Sequence, residues 1–203
     1  MSVLMALVDF IPVALFLAAA ILLQRDLYNK MSKGAFALFA AGGIVVFVAG
    51  FLKALWKLLY GLGVCDFALL NQVFFPMQTT GFLLAALGLV ALLCHRQGKT
   101  AMAVVPPVFD GKMVFVGILV LSVAVLDGCL VRISIKRKSR AACVLFLVSF
   151  VLVMAMGYLS TKDFTGAAMN WVAEAVNIGG QGCFLLGALA LHKGGLGAEE
   201  ALA

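Results

Sequence analysis

The sequence predicts an all-α, polytopic integral membrane protein with six transmembrane helices and little mass outside the bilayer. Three observations carry this expectation. Hydrophobic residues make up 65% of the 203 and charged residues only 12%, more apolar surface than a soluble domain can hide. Mean hydropathy is +1.15. The apolar residues also fall into six runs of about 20 residues or more, the length needed to cross a hydrocarbon core about 30 Å thick, and charges gather between the runs. No Pro/Gly/Ser-rich linker divides the chain, so 1–203 reads as a single transmembrane helical domain.

The first run, 3–24, is closed by Arg25, Asp26 and Lys30. No basic segment precedes it and further apolar runs follow it, so it reads as a retained helix and not a cleaved signal. The second, 34–54, continues into Lys53, Trp56, Lys57 and Tyr60, a Lys/aromatic mixture suited to the headgroup region, where Lys53 is expected to snorkel. The third, 67–94, carries no charge. In the connection from His95 to Asp110, Pro106 and Pro107 predict an extended break before the fourth run, about 112–131. The basic loop of Arg132, Lys136, Arg137, Lys138 and Arg140 leads to the fifth run, 141–160, and Lys162–Asp163 leads to the sixth, 165–191. Six crossings predict both termini on one side.

The halves share a bracket: Asp66-Phe67 with His95-Arg96 around the third run, and Asp163-Phe164 with His192-Lys193 around the sixth, each pair at the same separation. This suggests a 3+3 repeat of 3–96 and 110–193. With an odd number of crossings in each unit, the two would be inverted. Inversion puts the basic loops 25–33 and 132–140 on opposite sides, where Lys and Arg divide eight to seven, and the positive-inside rule then gives no orientation.

A formal charge of +6 and a pI of about 9.2 would fit nucleic acid on a soluble domain. Here the cations flank apolar runs, where they meet anionic headgroups, so nucleic acid is not an expected partner. The five cysteines stand singly with no CxxC pair, and His95 and His192 lie at run ends, so no metal or cofactor is expected. No nucleophile, metalloprotease or phosphate-loop motif occurs, and the chain is not expected to be an enzyme.

Polar side chains at depth are costly in hydrocarbon and are therefore the candidate site. Asn170, Glu174, Asn177 and Gln181 recur at spacings of four, three and four, which places them on one stripe of the sixth helix. Counted from Thr165, Glu174 lies about 14 Å in, near the midplane. The third helix offers Asn71 and Gln78, seven apart. Pro76 in that helix, and Gly179, Gly180 and Gly182 in the sixth, read as interruptions of the kind that accompany transporter sites. A substrate-binding site is therefore expected between helices three and six. Glu174 stands at its centre as a lone carboxyl that exchanges a proton, because desolvation disfavours an isolated carboxylate. Asp127 and Asp9 read as shallower, interfacial groups. The same amides also serve as interhelical glue worth about 0.6 kcal/mol each.

Ala14 and Ala18 give the first helix an AxxxA spacing. In that spacing, in size and in helix count the chain resembles the substrate-binding subunits of energy-coupling-factor transporters, although an alanine-rich chain produces the spacing readily. The expected function is a small-solute or ion transporter of the cell membrane, or the membrane-embedded substrate-binding subunit of one. The alternative is a membrane sensor, scaffold or assembly protein. The expected partners are the lipid bilayer, a small molecule or ion, and a second copy of the chain or a partner transport subunit.

Overall fold

The chain forms six helices long and apolar enough to cross a membrane. The computed structural model describes residues 3–94, 112–159 and 167–197. Pro106, Pro107, His95 and Asp163, and the ends Ser2 and Ala203, lie outside the described residues.

Two of the six spans are broken near their starts, and both breaks have the same cause. Span one is α1 (Val3–Val8) and α2 (Phe10–Leu27), and span three is α4 (Ala68–Gln72) and α5 (Phe74–Cys94). Pro12 lies four residues beyond the last residue of α1, and Pro76 four beyond the last residue of α4. Each proline lacks the N–H that the carbonyl four residues earlier would accept, so the ladder is interrupted there. Span two is α3 (Lys33–Gly61), span four α6 (Lys112–Lys136), span five α7 (Arg140–Leu159) and span six α8 (Ala167–Leu191). The α8 helix runs unbroken through Gly179, Gly180 and Gly182, so those glycines do not interrupt it. Gly180 instead lies against Leu152 of α7, and its carbonyl accepts the Ser149 hydroxyl at 3.0 Å.

The helix ends follow their local sequence. Ser32 caps α3 by accepting from the Ala35 amide at 3.3 Å, and Ser139 caps α7 at Ala142. At the other end of α3, Val64 and Gly63 donate back to Leu59 and Tyr60, a Schellman closure with Gly63 at φ 69°. The α6 helix closes the same way, with Ser139 donating to Ser134 and Lys138 to Ile135. There the left-handed position falls on Lys138, at φ 54°.

The spans pack in a closed ring in the order α2, α3, α5, α6, α7, α8, with α8 returning to α2. The α3–α5 contact is very close: a Cβ on Gly42 would stand 2.4 Å from the Ala85 nitrogen, and one on Gly88 2.7 Å from the Phe39 nitrogen. The centre is filled by Phe16, whose ring lies 6.1 Å from Phe82 and 6.0 Å from Phe184, with Phe146 5.7 Å beyond Phe184.

The direction of the spans corrects the expected inverted repeat. In α5 and α6 Thr79 bonds the Phe115 carbonyl, and Phe82 shares a cavity with Val123 and Asp127. Residue numbers rise together in the two helices, so they are parallel. The α2–α8 pair is parallel too, with Phe16 on Phe184 and Asp26 on His192. The α2–α3, α3–α5 and α7–α8 pairs are antiparallel. The second trio, α6–α7–α8, thus repeats the directions and neighbour order of the first without inversion. Cys94 and Lys112 fall at opposite ends of the bundle.

Two consequences follow. Val3 lies beside Gly61 and Gly197 beside Asp26, so the described chain begins and finishes at opposite ends of the bundle, against the expected same-side termini. The basic loops 25–33 and 132–140 also lie together. Among the described residues every Lys and Arg except Lys53, Lys57 and Lys112 lies at that end.

Candidate functional site

The interior of this apolar bundle carries polar groups at three levels. The first lies where the α1–α2 break exposes Asp9. From Asp9 the chain turns into α2, and its side chain is 7% exposed. It pairs with the ammonium of Lys57 on α3 and lies beside the carboxyl of Glu174 on α8. Lys53, one turn earlier on α3, contributes its charge to both Glu174 and Asp9. Its ammonium sits 3.8 Å from the centre of the Phe74 ring, at the start of α5 where Pro76 breaks span three.

This arrangement differs from the expected site in three respects. Glu174 is buried, 6% exposed, yet it is not alone, because its cations come from α3 and not from its own helix. It lies seven residues into α8, about 10 Å from the described start of that helix, level with the Asp9 turn. Asp9 and Lys53, read as interfacial, are members of the cluster.

The second level is central. Asp127 on α6 is 4% exposed, and its Oδ1 has no hydrogen-bond partner among the described residues. It faces a cavity of about 10 Å³ shared with Gln181, Ser149, Phe16 and Phe184, about the room that one water occupies. Leu has the same branching as Asp. Asp127→Leu is therefore expected to raise stability by about 1–3 kcal/mol, the usual cost of a buried unpaired polar atom, read as resistance to unfolding in detergent.

The third level lies at the basic end. His192, following α8, approaches Asp26 at 2.9 Å through Nδ1. Arg25 reaches the same imidazole at 3.3 Å and Asp26 at 3.5 Å. The α2–α8 seam is thus tied by charged groups at both ends.

The expected pairing of helices three and six does not occur. The α5 and α8 spans stand across the ring from one another, and no hydrogen bond joins Asn71 or Gln78 to Asn177 or Gln181 among the described residues. Asn71 is exposed on α4. Gln78 lines a separate chamber with Lys53. The stripe on α8 holds as geometry: Glu174 and Gln181 reach the interior at the first and second levels, with Asn170 and Asn177 half-buried between and beside them. Among the described residues no group of three His, Cys, Asp or Glu side chains converges on a metal position.

Neither a family model, nor a curated protein, nor a solved structure matches this chain, so the likeness to energy-coupling-factor binding subunits stays one of size, helix count and a short alanine spacing.

Proposed function

We propose that the chain is a multi-pass transporter of the cell membrane, or the membrane-embedded binding subunit of one, that couples a small solute or ion to proton uptake at Glu174. The observation that carries this reading is the buried meeting of two carboxyls and two lysines from three separate helices in a span otherwise apolar. For holding helices together such a set is a poor device, since apolar residues of similar volume generally do as well or better. Ionisable groups inside a span instead mark proton relays and solute paths. The other two levels support the same reading, because Asp127 with Gln181, and Asp26 with His192, extend polar groups along one interior line. The Phe16, Phe82 and Phe184 rings close the centre between them.

Orientation follows from charge. The end carrying both basic loops belongs in the cytoplasm by the positive-inside rule, which turns the Asp9–Glu174 pair toward the opposite face. The test is the full chain in proteoliposomes that trap a pH-sensitive dye, under an inward proton gradient, with small solutes added in turn. A transporter gives internal acidification that depends on one solute class, and the double variant Asp9→Asn with Glu174→Gln loses it. Acidification that never depends on an added solute favours a sensor or scaffold, and solute-dependent acidification that survives in the double variant overturns Glu174 as the coupling group.

A further inference from the structure

We propose that the chamber between α3, α5, α6 and α7 binds a small apolar anion, a carboxylate on a body about the size of a benzene ring, with its charge held by Lys53 and Gln78. This names the solute class of the transport reading and rests on that reading for its role in the cycle, though binding itself requires no transport.

The chamber has a volume of about 140 Å³, and a void of roughly 150 Å³ accommodates a benzene ring. Phe74, Phe75, Leu119 and Met154 are among the apolar and aromatic side chains that form its walls, and the polar groups at it are Lys53 and Gln78. Such a wall with one or two placed polar groups is the usual make-up of a small-molecule site. The decisive feature is the state of Lys53. Its ammonium rests on the ring faces of Phe74 and Phe75, at 3.8 and 5.8 Å, and no carboxylate oxygen lies within 4.0 Å of it among the described residues. Asp9 is already taken by Lys57. Ring faces attract an ammonium more weakly than a buried counter-ion does, so the chamber presents a cation short of its partner. A cationic solute is repelled there, a neutral one leaves the ammonium as it was, and an anion completes it. The Gln78 amide supplies a donor for the second oxygen.

The position of Lys53 also explains coupling. With Asp9 and Glu174 both charged, the two carboxylates balance Lys53 and Lys57. When Glu174 takes up a proton, one positive charge is left over beside the chamber, and one monovalent anion restores neutrality. Proton and anion then move together with no net charge.

The probe is 4-fluorobenzoate, titrated by ¹⁹F NMR into the purified full chain in phosphatidylcholine nanodiscs. The expected result is saturable binding that weakens at least tenfold for 4-fluorobenzyl alcohol, in Lys53→Met, and in Val116→Trp, which fills the chamber while keeping the lysine. Equal binding of the neutral alcohol overturns the proposal without reference to any variant. So does unchanged binding in Val116→Trp, which places the probe elsewhere. Loss of binding when phosphatidylglycerol replaces part of the neutral lipid assigns the anion site to lipid headgroups and overturns the free solute as occupant. Binding without proton-coupled uptake removes the transport reading and leaves the site standing; coupled uptake of other solutes with no benzoate binding does the reverse.

Discussion

Lys57→Met is expected to destabilise the bundle by about 3–5 kcal/mol, the cost of leaving one partner of a buried ion pair uncompensated. The value belongs toward the lower end, because the Lys57 side chain retains 20% of its exposure whereas Asp9 keeps 7%. The penalty comes from Asp9: held in the α1–α2 break and facing Glu174, it cannot turn to water when its ammonium is gone. Asp9→Asn added to Lys57→Met therefore restores most of the loss, since a neutral amide can donate to Glu174 and no longer needs a cation. Unfolding in detergent, followed by circular dichroism for wild type, both singles and the double, closes the cycle. A double variant no more stable than Lys57→Met alone would show that the pair is not what the lysine serves.

The spans and their order were legible in the sequence because crossing length and charge between runs are local signals. The break at Pro76 was legible for the same reason, since a proline acts on the carbonyl four residues before it. Pro12 carries the same signal in span one, and reading it would have marked Asp9 as a residue at a helix break. Direction was not legible. Each connection was taken to re-enter the bilayer where it left, which made the trios inverted and set the loops 25–33 and 132–140 apart. The even split of positive charge was the missed clue: eight against seven lacks the usual bias, whereas parallel trios gather both loops at one end.

The candidate site was half legible for a related reason. The stripe of Asn170, Glu174, Asn177 and Gln181 is a property of one helix, and periodicity within a helix needs no tertiary information. Which helix faces it depends on the ring order, and the polar residues of α5 turned out to stand across the ring. Asp9, Lys53 and Lys57 were visible as charges but were weighed by their distance from a run's end. Depth along one helix does not tell which neighbour arrives at the same level. Here α2, α3 and α8 bring an acid, two bases and a second acid together from 9, 53, 57 and 174, positions separated by most of the chain.

Glu174→Gln is expected to fold as wild type does and to abolish proton-coupled uptake, the largest functional effect of any single substitution in the cluster. Gln keeps the shape of Glu, and its amide can donate to the neighbouring Asp9 carboxylate. The difference is the proton. On the transport reading Glu174 alternates between protonated and charged, which changes the charge beside Lys53 by one unit. In Glu174→Gln no proton is exchanged at this position, Asp9 stays paired with Lys57, and the charge near Lys53 no longer depends on the proton supply. Anion binding measured at equilibrium then loses its dependence on pH but not its chemistry, while uptake driven by a proton gradient falls to the background of empty vesicles. Glu174→Ala separates this from packing, because it removes both titration and volume in a buried position and is expected to lose stability as well. If Glu174→Gln retained gradient-driven uptake, the proton would have to be carried elsewhere along the interior line, at Asp127 or Asp26. The Asp9–Glu174 pair would then be reduced to anchoring α2 and α8 against α3.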